Sequence, residues 1–206
     1  MTADQRGSRR AHDRVPEALA LLDRQVGDRA ILRFDRTVGD EIQALTDDPA
    51  CLVEAVLALT RLGGWRIGIG IGTVETPLPT STREARGRAY VAAREAVELA
   101  RTSPTDLAVV RHADPEIVGA VPYGGDQVRH AETALILLRS VVARRTPEGW
   151  ELMDLLDADP SGKHAAASLG ISPSAVSQRL ARSGREESRR GAELATHLLA
   201  GLIGGG

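Results

Sequence analysis

The stretch GKHAAASLGISPSAVSQRLAR, at positions 162–182, restricts the fold more than any other part of the sequence. Gly170 interrupts it, and glycine readily adopts the left-handed backbone conformation in which many helices end. Ser172 is a favoured N-cap residue, and Pro173 fits the first turn of a helix that begins there. The pattern predicts two short helices that meet at a tight turn, which is a helix-turn-helix.

The second of these helices has distinct inward and outward faces. Val176 and Leu180 are four residues apart and share the inward face, while Ala165 and Ala166 of the first helix are small enough to allow close packing. The outward face carries Ser174, Ser177 and Gln178. Short or hydrogen-bonding side chains of this kind reach base edges in the major groove, and a glutamine can form a bidentate pair with adenine.

Basic residues are concentrated around this motif. The whole chain has 26 Lys and Arg residues against 28 Asp and Glu, so global charge indicates nothing about a nucleic-acid partner. Residues 161–190 instead hold six basic and two acidic side chains, a net charge of +4, whereas 126–160 has a net charge of −3. Basic side chains near a recognition helix bind phosphates. The predicted DNA-binding residues are Lys163, Ser172, Ser174, Ser177, Gln178, Arg179, Arg182 and Arg185.

A helical hairpin that only packs against the rest of the protein is the alternative interpretation of this segment. Helix-turn-helix units that bind DNA commonly work in pairs, so the DNA-binding interpretation predicts a homodimer on double-stranded DNA. Leu194, His197, Leu198 and Leu202 recur at helical spacing near the C-terminus. This stripe belongs either to the core or to the dimer interface.

The N-terminal half alternates between helical and strand periodicity. Helices are predicted over 15–26, 49–62 and 87–101, and strands over 29–38, 65–74 and 107–112. Gly39-Asp40 is a hairpin signal between the first of these strands and EIQALT. One more strand ahead of the first helix would give βαββαβ, the ferredoxin-like arrangement. Only Met1-Thr2-Ala3 precede Asp4, so that first strand is expected to be short or missing.

The C-terminal half is predicted to be entirely helical. Its helices are expected over 128–145, 147–157, 161–170, 172–183 and 186–203, after a linker at 122–125. The predicted fold class is therefore α+β: a ferredoxin-like domain over 1–122, followed by an all-α helix-turn-helix domain over 126–203.

Glycine alternates with isoleucine in the predicted strand WRIGIGIGTV. Because side chains alternate between the faces of a strand, Gly68, Gly70 and Gly72 share one face. A face without side chains permits close approach of a helix, a partner chain or a ligand. Thr73 breaks the GxGxxG pattern, so this strand is not a dinucleotide fingerprint.

Three segments in order, RTVGDEIQAL, WRIGIGIGTV and GRAYVAAREAVELAR, resemble the SatD-like family. They also resemble, more distantly, the catalytic domain of class III nucleotide cyclases, so that the 1–122 domain is expected to be cyclase-like. The resemblance runs over about residues 4–112. The C-terminal half resembles helix-turn-helix regulators.

The cyclase resemblance implies a metal and nucleotide site. Asp4 in ADQRGSR and Asp40 in GDE match two aspartates that bind metal ions in the cyclases, and carboxylate oxygens suit Mg²⁺. Arg94 in AYVAAR matches an arginine that contacts phosphate. Tyr90 stands where the cyclases have an asparagine, and no base-selecting lysine is evident. From the residues alone, Gly39-Asp40 is equally a turn, and Arg94 is spaced to pair with Glu98.

Other features exclude several classes of protein. The single cysteine, Cys51, rules out an internal disulfide and is expected to be a core thiol, and the five histidines have no metal-binding spacing. No apolar run reaches the ~20 residues needed to cross a membrane. The first residues, MTADQRGSRR, lack a secretory signal, so a cytoplasmic protein without membrane contact is expected.

The sequence therefore predicts a DNA-binding transcription regulator whose cyclase-like domain binds a ligand or forms the dimer and has lost activity. The first alternative is a divergent Mg²⁺-dependent nucleotidyl cyclase, or a related phosphoryl-transfer enzyme, that uses Asp4, Asp40 and Arg94. The second alternative is an interaction protein whose two halves serve only assembly.

Overall fold

A computed structural model describes residues 1–8, 12–112 and 125–204 of the chain. The strands are β1 (Thr2–Gln5), β2 (Leu32–Arg36), β3 (Glu41–Leu45), β4 (Trp65–Ile71) and β5 (Leu107–Arg111). The α-helices are α1 (Val15–Val26), α2 (Pro49–Leu62), α3 (Arg88–Leu99), α4 (Asp126–Val142), α5 (Pro147–Ala158), α6 (Gly162–Leu169), α7 (Pro173–Arg182) and α8 (Arg185–Ile203). Of the predicted 122–125 linker, only Gly125 lies within the described residues.

The five strands form one sheet in the order β2-β3-β1-β4-β5. β1 lies in the middle of the sheet and is antiparallel to both β3 and β4, while β4 and β5 are parallel. The predicted α+β class is confirmed. The first strand, which the sequence predicts as short or missing, is present and has four residues. Backbone pairing with β3 on one side and β4 on the other holds β1 in place, although the strand is short.

The glycine face of β4 packs against α3. A Cβ atom added to Gly68 would lie 2.3 Å from the backbone nitrogen of Val97, and one added to Gly70 would lie 2.1 Å from that of Ala93. These distances leave no room for any side chain, so the backbones of α3 and β4 touch directly. Of the three partners that a glycine face permits, the structure shows a helix at Gly68 and Gly70.

The opposite face of the sheet is covered by four helices. Its buried core joins side chains of the sheet, such as Trp65 and Ile67, to Leu59 of α2, Leu135 of α4 and Leu199 of α8. Cys51 belongs to this core, as the sequence predicts, and burial raises the pKa of its thiol. The core therefore contains α4 and α8 from the predicted helical half. It does not divide at the predicted boundary between 1–122 and 126–203.

A buried arginine attaches α4 to the sheet. The guanidinium of Arg139 donates hydrogen bonds to the backbone oxygens of Asp106 (2.7 Å) and Trp65 (2.6 Å), at the beginnings of β5 and β4. Burial lowers the pKa of Arg139 to about 10, so the side chain stays charged at pH 7. Both carbonyls accept from a charged donor, which is a strong hydrogen-bond type.

Helices α5, α6 and α7, which lie between α4 and α8 in the sequence, pack around a separate small core. This core consists of Leu152, Leu156, Ala165, Ala166 and Val176, with Leu155, Leu169, Ile171 and Leu180 packed against it. No helix in the described part of the chain is both long and apolar enough to cross a membrane.

The contact between α3 and β4 predicts a large destabilisation by Gly70→Ala. The new methyl group would overlap backbone atoms of α3 that cannot rotate away, and overpacking of this kind costs about 1–3 kcal/mol or more. Urea unfolding should show the loss. Gly201→Ala is the control: it lies on α8 with nothing within 4 Å of the added Cβ, so stability should stay equal or rise slightly. Equal midpoints for the two variants would contradict the close contact.

Candidate nucleic-acid interface

Each helix of the α5–α7 unit begins at a side-chain cap. Thr146 accepts a hydrogen bond from the Gly149 amide before α5, and Ser161 accepts one from His164 before α6. Ser172 accepts from the Ala175 amide (3.1 Å) before α7. Gly170 ends α6 with φ of 62°, in the left-handed region that the sequence predicts for it. The local signals of both helix ends are therefore confirmed.

The inward and outward faces of α7 follow the predicted division. Val176 is buried and Leu180 is half-buried in the small core, next to the alanines of α6. Ser174, Ser177, Gln178 and Arg182 are exposed. Two of the predicted serines already use their hydroxyls locally, since Ser172 caps α7 and Ser177 donates to the Pro173 carbonyl (3.1 Å). Gln178 and Ser174 have no such local bond within the described part of the chain.

The predicted basic residues separate into paired and unpaired side chains. Arg179 lies 3.8 Å from a Glu151 oxygen, and Arg185 lies 3.4 Å from an Asp157 oxygen, so two acidic residues of α5 partly neutralise them. Arg189, further along α8, pairs with both Glu186 and Glu193.

Lys163 and Arg182 are exposed and form no ion pair among the described residues. Arg182 lies directly on α7, whereas Lys163 is in the first turn of α6. Both side chains therefore keep their charge available for a partner outside the chain.

A cleft of about 370 Å³ separates α7 from the start of α5. It is lined by Thr146, Glu148, Gly149, Ala175, Gln178, Arg179, Arg182 and Ser183. Sequence reasoning missed Glu148, which brings an acidic group to the same cleft as Gln178 and Arg182. Hydrogen bonding to its own backbone amide and to Thr146 holds the pKa of Glu148 below its usual value, so this residue is a carboxylate at pH 7.

Trp150 connects the three-helix unit to the rest of the protein. Its ring lies between two guanidinium groups. The Cζ atom of Arg61 is 4.5 Å from the ring centroid, and the Cζ atom of Arg145 is 4.3 Å from it. Arg61 of α2 also forms two hydrogen bonds of 2.6 Å with Asp154 of α5. Arg145 donates to the Ser183 carbonyl (2.8 Å) at the end of α7. These contacts hold α5 and α7 against α2 and the end of α4.

The structure brings the two predicted metal-binding aspartates together at one end of the sheet. Asp4 lies near the end of β1, and Asp40 precedes β3. The pKa of Asp4 is raised by burial first, and then by the charge of Asp40 and a hydrogen bond with it. Two carboxylates in contact repel one another when both are ionised, so the pair favours a shared proton or a bound cation.

Arginines that the sequence analysis missed surround this pair. Arg66 of β4 is paired with Asp4 of β1, with its Nη1 3.3 Å from the Asp4 carboxylate, and Arg101, just after α3, lies 3.8 Å from the same carboxylate. The alternation of β4 places Arg66 on the same face as Gly68, which is the signal that would have indicated it. Arg94 pairs with Glu41 (3.4 Å) and not with Glu98, which pairs with Arg101. Arg94 thus lies beside the residue that follows Asp40.

Asp4 and Asp40 match Mg²⁺ in donor type, because both offer carboxylate oxygens. Arg66 competes with a cation for Asp4. Within the ranges that the structure describes, no group of three or more His, Cys, Asp or Glu side chains is placed to hold a metal ion. A cation at this pair would therefore take only two acidic ligands and would complete its shell with water or phosphate oxygens.

Comparison of this chain with protein-family models, with curated proteins and with solved structures finds no match.

The carboxylate pair predicts an unusual pH dependence of stability. Because the pKa of Asp4 is raised on folding, the folded protein binds this proton more tightly than the unfolded chain does, and Asp4 lowers stability as the pH rises above its unfolded pKa. Asp4→Asn should therefore raise the urea midpoint at pH 7 and change it little at pH 3.

The matched control for Asp4→Asn is Asp13→Asn, for which the opposite sign is expected. A hydrogen bond from Arg36 holds the pKa of Asp13 below its usual value, so ionised Asp13 stabilises the fold and its loss should lower the midpoint at pH 7. If Asp4→Asn also lowered the midpoint, the ion pairs of Asp4 with Arg66 and Arg101 would outweigh its repulsion by Asp40.

Proposed function

We propose that this protein is a DNA-binding transcription regulator in which α5–α7 form a helix-turn-helix unit and α7 enters the major groove. One observation carries the proposal: α7 buries Val176 and half-buries Leu180 against the small core, and exposes Ser174, Ser177, Gln178 and Arg182. Exposed side chains of this type suit base edges and phosphates.

The geometry of α6 and α7 supports the helix-turn-helix assignment. A left-handed glycine ends α6, a serine cap begins α7 two residues later, and the two adjacent alanines of α6 face the small core. This is the arrangement of a tight bihelical corner with a stabilised second helix. The unit has its own apolar core, so it can present α7 without distorting the sheet.

The strand order supports a ferredoxin-like arrangement for the sheet. Neighbouring strands β2-β3-β1-β4 are antiparallel, and β1 is connected to β2 through α1, and β3 to β4 through α2. Both connecting helices belong to the core on the same face of the sheet. β5 then extends this βαββαβ order at the β4 edge. We infer that this part is a cyclase-like domain that senses a ligand or holds the dimer together.

The ion pairs change which basic residues are expected to contact phosphates. Arg179 and Arg185 are partly neutralised by α5, so Arg182 and Lys163 are the expected main phosphate ligands. Glu148 faces the same cleft as Gln178 and opposes an approaching phosphate. Base contacts by Gln178 and, secondarily, Ser174 are the expected source of sequence preference.

A homodimer is part of the proposal. In the predicted stripe, Leu202 is buried and Leu198 is half-buried against the core, whereas Leu194 and His197 are exposed on α8. Leu137 of α4, a helix in contact with α8, is also exposed. These exposed leucines lie on the helix pair α4 and α8, which is the expected dimer interface. Two copies would offer two α7 helices to two half-sites.

Gln178→Ala and Arg182→Ala should weaken DNA binding in different ways. Duplexes are first selected from a random library with the purified full chain, and each variant is then titrated against selected and scrambled duplexes. Gln178→Ala should cost about 1–3 kcal/mol on the selected site and little on the scrambled one. Arg182→Ala should weaken both equally and reduce the slope of log K against log salt by about 1.

Two exposed residues of α1 give the matched controls for this experiment. Gln25→Ala and Arg24→Ala make the same chemical changes away from α7 and should bind both duplexes like the unchanged protein. The regulator proposal fails if the library yields no enriched duplex, or if both α7 variants bind as the controls do.

A second candidate function is nucleotide binding with phosphoryl transfer at Asp4 and Asp40. The meeting of these two carboxylates, far apart in sequence, is the observation that favours it. Mg²⁺ would supply a link between the carboxylates and phosphate oxygens. Arg94, exposed and held beside Glu41, would neutralise phosphate charge.

This second candidate predicts a nucleotide product that depends on Asp40. The protein is incubated with ATP or GTP and with Mg²⁺ or Mn²⁺, and the nucleotides are separated by chromatography. Asp40→Ala should abolish the product, while Asp47→Ala, an exposed aspartate after β3, should leave it unchanged. Intact nucleotide in every reaction would remove this candidate and leave the regulator proposal untouched.

A further inference from the structure

Among the acidic residues of α5, Glu148 is the one that forms no ion pair within the described part of the chain. The three others each lie close to an arginine: Glu151 (3.8 Å), Asp154 (2.6 Å) and Asp157 (3.4 Å). Arg179 and Arg182 line the same cleft as Glu148, and neither approaches it to ion-pair distance. Glu148 therefore brings an exposed negative charge without a close counter-charge to the cleft between α5 and α7.

Two hydrogen bonds fix the position of this carboxylate. It accepts from its own backbone amide and from the Thr146 hydroxyl. Thr146 is held in turn, because its oxygen accepts from the Gly149 amide in the first turn of α5. An ionised carboxylate has about four acceptor positions, so some remain available to a partner. Glu148 is thus an oriented hydrogen-bond acceptor in the wall of the cleft.

The cleft opens beside the outward face of α7. Gln178 is two residues from both Val176 and Leu180, and two residues turn a helix by about 200°, so Gln178 points away from the small core. Gln178 also lines the cleft, as does Arg182 one turn further along α7. Under the proposed function this face lies in the major groove, and Glu148 forms the opposite wall of the cleft beside it.

The charge of Glu148 selects which part of a duplex can lie next to it. Phosphate oxygens are negative and are repelled, whereas an amino group on a base edge can donate to the carboxylate. In the major groove, guanine and thymine present acceptor oxygens, and adenine presents its N6 amino group beside the N7 acceptor. Cytosine is the one base that presents an amino group, N4, and no acceptor. It is therefore the base that this carboxylate fits best.

We propose that Glu148 is a specificity-determining residue, whose carboxylate accepts a hydrogen bond from the N4 amino group of a cytosine next to the base that Gln178 contacts. This inference rests on the proposed function, because it requires α7 in the major groove. Glu148 favours one base by attraction and disfavours other sequences by repulsion, and specificity commonly combines the two.

Glu148→Ala tests this role by changing the sequence that is selected. Duplexes are selected from a random library with the unchanged full chain and with the variant, and base frequencies are compared at each position. The variant should lose the preference for cytosine at one position and keep the other preferences. It still folds with the cap of α5 in place, because the bond from the Gly149 amide to Thr146 does not involve the Glu148 side chain.

Titration against paired duplexes gives the size of the effect. Replacing the selected C·G pair by T·A exchanges the N4 donor for the O4 acceptor. This change should weaken binding of the unchanged chain on the order of ten-fold and binding of Glu148→Ala by less than about two-fold. The affinity of Glu148→Ala for a scrambled duplex should rise, because a repulsive charge has been removed.

Glu151→Ala is the matched control, because it removes the same charge from the same helix outside the cleft lining. It also releases Arg179 from its partner, so affinity for every duplex should rise. The preference for cytosine should stay as in the unchanged chain.

The inference is overturned if Glu148→Ala selects the same bases as the unchanged chain, or if Glu151→Ala loses the cytosine preference to the same extent. Either result leaves the regulator proposal standing, since enriched duplexes have then been obtained. A library that yields no enriched duplex with the unchanged chain removes the regulator proposal itself, and the role of Glu148 with it. The two failures are therefore distinguishable.

Discussion

The direct contact between the backbones of α3 and β4 determines the positions of the other groups on that face of the sheet. Because Gly68 and Gly70 carry no side chains, α3 lies close enough for Arg94 and Arg101 to reach Glu41 and Asp4 over the neighbouring strands. The same contact places Tyr90 at the other end of the sheet, beside a cavity of about 170 Å³ that Leu52 and Ile71 also line. One packing constraint thus positions the ion pairs at one end of the sheet and Tyr90 at the other.

A second constraint fixes the three-helix unit relative to the sheet. The Trp150 ring is held between Arg61 and Arg145, and Asp154 binds the outer edge of the Arg61 guanidinium. Planar guanidinium groups stack well on an aromatic ring, and together they limit rotation of α5. The Arg145 bond to Ser183 fixes the end of α7 at the same point. The exposed face of α7 therefore has a defined direction relative to α8.

Local signals in the sequence predicted most of the helices and turns, but they did not predict how these elements pack against one another. The caps at Ser161 and Ser172, the left-handed Gly170 and the amphipathic faces of α7 depend on neighbouring residues only. The position of β1 in the middle of the sheet depends on distant residues instead, because the three residues before Asp4 do not indicate which two strands will flank them. Nor does periodicity show that α4 and α8 share the core of the sheet, because an apolar helix face does not indicate which element it packs against. Proximity of Asp4 and Asp40 was suggested by resemblance, whereas the ion pairs of Asp4 required the structure.

Charge counted along the chain overstates what the proposed interface offers to DNA. The net charge of +4 over 161–190 includes Arg179, Arg185 and Arg189, and each of these has within 4 Å an acidic partner that lies outside that segment, namely Glu151, Asp157 and Glu193. Exposed ion pairs of this kind are weak, so phosphate can replace the carboxylates, but each exchange gains less than binding by an unpaired cation. Under the proposed function, a single unit would then make few strong phosphate contacts and would depend on Gln178 for selectivity. Under the proposed function, useful affinity therefore requires two units on one duplex, which makes dimer formation a physical requirement of the mechanism.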